Sequence, residues 1–342
     1  MTECLELPML FDAHLHLRQG DMLRNVASAT TRCCNLAIVM PNITPPVLNG
    51  EDVFNYQNEI LAVTGDLFGA LMTIQIVPTT TVEHVASAQR AGAVAAKVYP
   101  KNMTTNSHNG VEDYDALWPI FAELERRDMV LCLHGESPKA EFCLDAEAEF
   151  LSTFERIVYA FPALRVVLEH VTTAQAVERV GFLAKAGARV ATTITLHHMM
   201  LTLNDVVRYM LEPHNFCKPV AKRPEDRDAV RALAMSGKPW ALLGSDSAPH
   251  LRGAKECAHG CAGIWTAPVL IEALVGEFEK DGKLEALPEF IRAGERFYGL
   301  PATRATLELH RIPWQVPAEI NGIVPFLAGH ELAWQLVAAY HP

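Results

Sequence analysis

The 342-residue sequence lacks the features that mark membrane, secreted and nucleic-acid-binding proteins. No apolar run approaches the ~20 residues that cross a bilayer, and the first residues show no basic stretch followed by an apolar one, as a secretory signal does. No run rich in Lys and Arg is present, and 40 acidic residues outnumber 29 basic ones, which gives a net charge of −11. We therefore predict a cytoplasmic protein that acts on a small molecule, with neither a membrane nor a nucleic acid as partner.

A disulfide framework is also missing, although the chain contains eight cysteines. Cys33 and Cys34 are adjacent, and Cys257 and Cys261 flank His259 without the second pair that a structural zinc site uses. Because the chain is far longer than the small secreted domains that depend on disulfides, we predict reduced thiols. A metal site at Cys257, His259 and Cys261 stays a weak alternative, and a role for Cys33 and Cys34 is left open.

The chain has no internal repeat and no linker rich in Gly, Pro or Ser, and short apolar runs alternate with helical patterns along its length. This alternation is typical of parallel βα units. The predicted strands are Leu10 to His16, Leu36 to Met40, Leu71 to Val77, Ala95 to Tyr99, Met129 to His134, Arg165 to Val171, Val190 to Thr195 and Trp240 to Asp246. Eight such strands predict an α/β fold, a (β/α)8 TIM barrel, as a single domain over residues 1–342.

Potential metal ligands lie towards the C-terminal ends of five of these strands, where barrel enzymes place their active sites. They are His14 and His16 on the first strand, Lys97 on the fourth, His134 on the fifth, His170 on the sixth and Asp246 on the last. The two-residue period of a strand sends His14 and His16 to the same side, where both can reach one ion. A buried polar group without a partner costs ~1–3 kcal/mol, and one metal centre satisfies the whole set.

Each of these residues also has an ordinary explanation when it is taken alone. His134 or His170 can be a hydrogen-bonded core histidine, and Lys97 can extend its amine to solvent from a strand end. Asp12, immediately before the histidine pair, is typical of a supporting or capping group. The ordered combination of all six ligands along the barrel is what indicates a metal centre.

Together with the phrases around it, this set resembles the dihydroorotase family, in its shorter bacterial form, within the amidohydrolase superfamily. The matching stretches are FDAHLHLR, VMPNITPPV, AKVYPKNMTTNSHNGV, LCLHGE, LEHVTT, HNFCKP, LGSDSAPH and VPFLAG. They run through nearly the whole chain in the family's order. The match is specific, because GSDSAPH and the paired threonines go beyond what metal binding requires.

The resemblance implies two zinc ions per chain. It assigns His14 and His16 to the first zinc, His134 and His170 to the second, and a Lys97 carboxylated by CO2 as the bridge between them. Asp246 then binds the first zinc and serves as general base and afterwards as general acid. The implied reaction is the reversible opening of dihydroorotate to N-carbamoyl-aspartate by a homodimeric enzyme. Cobalt or manganese is an alternative to zinc in vitro.

The resemblance also implies a substrate site built mainly outside the strands. Arg18, Asn42 and His250 are assigned to a carboxylate, and His134 is expected to face the substrate as well as its zinc. Lys218 and Ala262 mark main-chain contacts to the ring, and Thr104 and Thr105 belong to a mobile loop that closes over it. The alternatives are a surface salt bridge for Arg18, a turn-forming role for Asn42 and a permanently solvated loop around Thr104.

Three rival functions follow from the same residues. A hydantoinase uses the same metals, but its branch usually wraps a β-sandwich around the barrel from both termini, whereas only 13 residues precede His14. A deaminase of the superfamily needs no bridging lysine, so Lys97 counts against it. A non-catalytic scaffold is expected to lose ligands, and here all six are present. We therefore predict an active cyclic amidohydrolase.

Overall fold

The computed structural model describes residues 3–341, in which helices surround a barrel of strands. The strands are Cys4–Pro8 (β1), Leu10–Leu15 (β2), Cys34–Val39 (β3), Gly69–Ile76 (β4), Ala95–Val98 (β5), Val130–His134 (β6), Val166–Glu169 (β7), Val190–Ile194 (β8), Ala241–Leu243 (β9), Thr306–His310 (β10), Trp314–Gln315 (β11), Glu331–Leu332 (β12) and Gln335–Tyr340 (β13). The α-helices are Gly20–Thr31 (α1), Gly50–Thr64 (α2), Val82–Arg90 (α3), Trp118–Arg126 (α4), Ala146–Ala160 (α5), Ala174–Lys185 (α6), Leu196–Met200 (α7), Asn204–Val207 (α8), Pro224–Ala234 (α9), Arg252–Lys255 (α10), Leu270–Lys280 (α11) and Leu287–Phe297 (α12). Within this range no helix combines the length and apolar character needed to cross a bilayer.

Strands β2 to β9 form one parallel sheet in which the order in space is the order along the chain. The sheet closes on itself because the Asp246 N–H donates to the His14 carbonyl (2.9 Å) and the His16 N–H donates to the Ser247 carbonyl (3.2 Å). All eight predicted strands are present, most of them ending slightly earlier than predicted. The predicted (β/α)8 TIM-barrel fold is thus confirmed.

Helix α12 covers the N-terminal end of the barrel. Its Ala293 and the following Tyr298 pack against Phe11 and Ala13 of β2 in the apolar interior of the barrel. The close approach requires a glycine at position 294, since a Cβ atom there would overlap the Phe11 ring. Because side chains fill the N-terminal end of the barrel, a functional site is expected at the C-terminal end.

The two ends of the chain meet in a small antiparallel sheet that the sequence analysis did not predict. Strand β10 pairs with β1 on one side and with β13 on the other, and β11 pairs with β12 nearby. Leu7 of β1 and Leu307 and Leu309 of β10 are buried and hold this sheet against the barrel. One strand therefore does precede the barrel, but in a three-stranded sheet and not in the β-sandwich expected of a hydantoinase.

Several loops that follow strands end in a side chain that caps the next helix. Asn49 Oδ1 accepts from the Glu51 N–H at the start of α2, and Thr81 Oγ1 accepts from the N–H of the third residue of α3. Thr173 Oγ1 does the same for Ala176 in α6. Capping fixes where each helix begins and so restrains the loops at the C-terminal end of the barrel.

Candidate active site

Three side chains meet at the seam where the first and last strands of the barrel join. The Nε2 atoms of His14 and His16 are 3.3 Å apart. Asp246 Oδ1 lies 3.1 Å from His16 Nε2 and 3.4 Å from His14 Nε2. Zinc bonds to nitrogen and oxygen of about 2.0–2.2 Å place neighbouring ligands roughly 3–3.5 Å apart, so this spacing suits three ligands of one ion.

His170 lies next to His14, His134 lies beside His170, and Lys97 is buried against Tyr99 in the wall of the same cavity. The His170 ring centroid lies 4.7 Å from that of His134 and 5.0 Å from that of His14. Lys97 is fully buried, and neither its Nζ nor His170 Nδ1 has a hydrogen-bond partner within residues 3–341. Buried polar atoms of this kind normally have partners, so both point to a further group at this position.

Two buried carboxylates orient the histidine rings. His14 Nδ1 donates to Glu169 Oε2 at 2.8 Å, which directs His14 Nε2 towards Asp246. His134 Nε2 donates to Glu136 Oε2 at 2.7 Å, which leaves His134 Nδ1 as the ring nitrogen with a free lone pair. A carboxylate behind a histidine is the usual support of a metal ligand, because it fixes the tautomer and the ring orientation.

The electrostatics of the site favour ligand atoms without protons. Burial lowers the pKa of His16 to about 4, and it also lowers the pKa values of His134 and His170, so these rings are neutral at pH 7. Burial lowers the pKa of Lys97 as well, which makes its amine easier to deprotonate. Although burial opposes it, the hydrogen bond from His16 and the electrostatic effect of the surrounding imidazoles hold the pKa of Asp246 well below its usual range.

The backbone is strained at the positions that carry the site. His170 and Asp246 have φ values of 40° and 41°, and Arg18 has a φ of 60°, a region that non-glycine residues seldom occupy. Asp12 supports the seam from below, since its Oδ1 accepts from the His14 N–H (3.1 Å) and the Ser245 N–H (2.8 Å). This is the supporting role that the sequence suggests for Asp12.

Arg18, His250 and Ala262 form a connected group above the metal-ligand set. The Arg18 Nε donates to the Pro249 carbonyl at 3.1 Å. The His250 Nε2 atom lies 3.0 Å from Arg18 Nη2 and 3.0 Å from the Ala262 carbonyl. Burial lowers the pKa of His250 to about 3, so the ring is neutral beside the guanidinium. Arg18 is therefore held inside the site and not in a surface salt bridge.

The loop containing Thr104 and Thr105 is docked over the site. Thr105 Oγ1 donates to the Ala262 carbonyl at 3.3 Å, and the Asn42 side-chain amide donates to the Thr105 carbonyl at 3.2 Å. Asn106 donates back to the Asn42 carbonyl at 2.9 Å. The loop is thus in a closed position, and Asn42 does more than form a turn, because it joins the loop to the segment after β3.

These elements enclose one cavity at the C-terminal end of the barrel. Its lining consists of His14, His16, Arg18, Asn42, Tyr99, Thr104, Thr105, His134, His170, Lys218, Asp246, Ala248, Ala262 and Gly263. Of the predicted site residues, Lys97 is buried in the wall and His250 contacts Arg18 and Ala262 from the side. The structure therefore brings all of the predicted site residues together.

Proteins of known identity resemble the chain along nearly its whole length. A dihydroorotase from Shewanella pealeana is 43% identical over 338 residues, covering 96% of this chain and 97% of its own. Solved dihydroorotases from Saccharomyces cerevisiae and Campylobacter jejuni have TM-scores of 0.94 and 0.89 at 31% and 35% identity, and each comparison covers at least 98% of both chains. The chain belongs to the dihydroorotase family. No protein-family model matches it.

As a member of the dihydroorotase family, the protein is an enzyme, a hydrolase that acts on a cyclic amide in pyrimidine biosynthesis. The L-hydantoinase of Arthrobacter aurescens also aligns, with a TM-score of 0.85, but at 17% identity and over 84% of its own length. That likeness concerns the fold alone. The scaffold alternative finds no support, because the relatives are enzymes.

Several residues of this dihydroorotase site were not predicted from the sequence. Tyr99, Ala248 and Gly263 line the cavity, and Glu136 and Glu169 orient histidines. A signal was available for most of them. Tyr99 and Ala248 each follow a predicted ligand by two residues, and Glu136 and Glu169 lie inside the LCLHGE and LEHVTT stretches that carry the family resemblance.

Within residues 3–341, three sets of possible metal-ligand atoms come close together. His14, His170 and Asp246 form the set in the cavity. The other two sets, His197 with His198 and Cys217 and Cys4 with Glu308 and His310, lie outside it. The weak alternative of a site at Cys257, His259 and Cys261 is not among them. All eight cysteines are free thiols, as predicted.

The donor set in the cavity fits a metal cofactor. Neutral imidazole nitrogens and carboxylate oxygens are ligands that zinc accepts, and His16, His134 and His170 are neutral. The buried Lys97 amine lies in the same wall without a partner among the described residues. A lysine that has gained an anionic group would complete the set, whereas an ammonium would repel two cations.

Proposed function

We propose that the protein catalyses the zinc-dependent, reversible interconversion of (S)-dihydroorotate and N-carbamoyl-L-aspartate. The proposal rests mainly on one observation. Five potential metal ligands line the floor of a cavity, with Lys97 buried behind them, and the upper wall holds Arg18, a half-buried guanidinium with no carboxylate bonded to it among the described residues. A cyclic amide that carries a carboxylate fits such a cavity, because the metal centre suits the amide and Arg18 suits the carboxylate. The yeast relative was solved with 5-fluoroorotic acid, a derivative of such a ring.

His14, His16 and Asp246 would hold one zinc, His134 and His170 would hold the other, and carboxylated Lys97 would bridge them. When bound, two zinc ions lower the pKa of water and polarise a scissile carbonyl. Glu169 and Glu136 keep the coordinating nitrogens of His14 and His134 aimed at the centre. The strand ends supply this geometry before any substrate arrives.

Lys97 is suited to carboxylation because its surroundings disfavour the ammonium form. Burial lowers its pKa, and no hydrogen-bond acceptor within residues 3–341 faces its Nζ. The neutral amine adds to CO2 and loses a proton, which gives a carbamate whose single negative charge is shared by two oxygens. The modified side chain would therefore offer two ligand oxygens and offset part of the positive charge of two cations in a buried wall.

Asp246 is the residue in this centre best placed to move the proton. Its Oδ1 lies within 3.1–3.4 Å of two ligand nitrogens, and Asp246 lines the cavity, so its carboxylate can contact a water and a substrate bound there. The carboxylate accepts the proton of the attacking water and then delivers it to the leaving ring nitrogen. In the direction of ring closure the same carboxylate works in reverse.

Arg18, Asn42 and His250 would recognise the carboxylate of the substrate. Arg18 offers a planar fork of donors, fixed by Pro249 behind it, and Asn42 lines the same cavity. Main-chain groups of Lys218 and Ala262 would contact the ring, and Thr104 and Thr105 would close the site from above. Closure of the loop excludes water that competes for these groups.

The test is an assay of the purified protein with measured metal content. We expect about two zinc ions per chain, loss of absorbance as dihydroorotate opens, and formation of dihydroorotate from N-carbamoyl-aspartate. Dihydrouracil and hydantoin, which lack the carboxylate, are the matched control substrates and should be poor ones. Preference for either of them would favour the hydantoinase alternative, and protein free of metal with no activity would contradict the proposal.

We also propose that the enzyme is a cytoplasmic homodimer formed by a single domain of residues 1–342. The support for the dimer and for the location is the family resemblance. Light scattering on the purified protein should give a mass near twice the 37.7 kDa of one chain. A monomeric mass at micromolar concentration would refute the dimer.

A further inference from the structure

Lys255, at the end of α10, is a buried lysine whose bonds all go to main-chain carbonyls. It is 4% exposed, and its Nζ donates to the carbonyls of Phe216 (3.1 Å), Cys261 (3.2 Å) and Gly263. These acceptors belong to two different loops, one after β8 and one after β9. A single ammonium group therefore joins the two loops that border the upper wall of the cavity.

The bond to the Cys261 carbonyl fixes the direction of the next amide. In a planar trans peptide the C=O and the following N–H point in opposite directions. Because the Cys261 carbonyl points at Lys255, the Ala262 N–H points away from Lys255, and Ala262 lines the cavity. Within residues 3–341 the Ala262 N–H donates to no protein acceptor.

The loop after β8 shows the same arrangement. The Phe216 carbonyl accepts from both Lys255 Nζ and the Gly263 N–H (3.0 Å), which fixes the chain just before Lys218. Lys218 lines the cavity, and its N–H likewise has no protein acceptor in the described range. Two unpaired main-chain donors thus border one cavity, and unpaired backbone donors in enclosed places are rare unless a ligand or water meets them.

The geometry points to Lys255 as a positioning residue that aims the main-chain N–H groups of Ala262 and Lys218 at acceptor oxygens of the substrate. The inference rests on the proposed function for the identity of that substrate. Lys255 makes no contact with the metal-ligand set, so it acts on binding and not on the chemical step. Its ammonium holds these carbonyl oxygens away from the cavity. Without it, they would turn towards the cavity and repel the carboxylate of the substrate.

Neighbouring residues hold this arrangement in place from other sides. The Ala262 carbonyl lies 3.0 Å from His250 Nε2 and accepts from the Thr105 hydroxyl, so two side chains restrain the carbonyl end of residue 262. Gly263 has a φ of 147°, and a Cβ atom there would lie 2.5 Å from the Ala248 carbonyl, so only glycine fits. These contacts do not fix the direction of the peptide between Cys261 and Ala262. Lys255 fixes it by donating to the Cys261 carbonyl.

The test replaces Lys255 with methionine, which keeps the length of the side chain and removes the three donors. We expect the KM for dihydroorotate to rise about ten-fold, the loss expected for one or two hydrogen bonds, with kcat changed by less than about three-fold. Zinc content should equal that of the wild type. Arg252→Met is the matched control, because Arg252 lies in the same short helix but pairs with Glu256 and Glu319 at the surface. It should leave KM unchanged.

An unchanged KM in Lys255→Met, or a loss of zinc that parallels the loss of activity, would overturn the inference. If the methionine variant does not fold, Lys255→Gln serves the same comparison with fewer donors. A crystal structure of the variant decides the matter independently of turnover, since we expect the peptide between Cys261 and Ala262 to rotate or lose order. An unmoved peptide would refute the role of Lys255, whereas a wild type inactive on dihydroorotate would refute only the proposed function.

Discussion

The floor and the rim of the cavity are built in different ways. The floor consists of the six candidate metal ligands His14, His16, Lys97, His134, His170 and Asp246, each within or just after a barrel strand and nearly or fully buried. The rim consists of Arg18, Asn42, Thr104, Thr105, Lys218, His250 and Ala262, which lie in loops. Sheet hydrogen bonds fix the floor, whereas side chain to main chain bonds between loops fix the rim. Under the proposed function, the metal centre would therefore lie on the part of the fold fixed by the sheet, and substrate recognition on loops that the sheet does not hold.

The largest effect should come from the floor, at Lys97. Lys97→Ala removes the proposed bridge, so we expect one zinc ion or none and activity lowered by more than about 10³-fold. Acetate or propionate should enter the vacated space and restore part of the activity in a concentration-dependent way. Lys101→Ala, at an exposed lysine paired with Glu112, is the control and should keep metal and activity. A fully active, two-metal enzyme with a free amine at Lys97 would refute the carbamate.

Asp246→Asn should have the next largest effect, again on the floor. An amide cannot carry the proton between water and the ring nitrogen, so kcat should fall by about 10²–10⁴-fold in both directions of the reaction. The fold should be kept, as circular dichroism can show. Asp281→Asn, in a surface ion pair with Arg231, is a control of the same chemical change. Substantial turnover in either direction, with the substitution confirmed by mass, would remove Asp246 from proton transfer.

A change in the rim should separate substrate binding from metal binding. Arg18→Lys keeps the positive charge but loses the planar fork, so we expect the KM for dihydroorotate to rise about ten- to a hundred-fold with both zinc ions retained. Arg24→Lys in α1, an exposed residue paired with Asp21, should behave as wild type. If zinc content fell as much as activity, the division between floor and rim would be wrong at this position.

The smallest effect is expected at the loop tip. Thr105→Val removes the hydroxyl that donates to the Ala262 carbonyl, and we expect KM to rise only a few-fold, about the value of one weak hydrogen bond. Thr105→Ser keeps the hydroxyl and should restore wild-type KM. An equal effect of both variants would contradict a specific role for the hydrogen bond from Thr105 to the Ala262 carbonyl.

The floor could be predicted from the sequence because its residues follow regular patterns. The alternation of apolar runs identified the eight strands, and the two-residue period placed His14 and His16 on one side. The same period failed at Glu169 and His170, which are adjacent and should point to opposite faces. Both reach the site because His170 has a φ of 40°, which breaks the alternation of side chains along the strand. This dihedral angle could not be predicted from a sequence pattern.

The rim and the outer sheet depend on contacts between distant parts of the chain. The family resemblance supplied Asn42 and Thr105, but the bonds by which they close the loop are properties of the folded molecule. Strands β1 and β10 were missed because they are short and pair across some 300 residues, without a turn signal between them. The residues that flank Lys255 in the sequence give no sign that three carbonyls converge on its amine.

The seam between β2 and β9 bears on the order in which the protein is made. Asp246, which lies within 3.4 Å of His14 and His16, is synthesised more than two hundred residues after them. A chain terminated between these positions therefore has both histidines but lacks the carboxylate beside them. Under the proposed function, a metal ion bound by such a chain would have only part of its ligands. Firm retention of metal would then require synthesis through Asp246 and closure of the barrel.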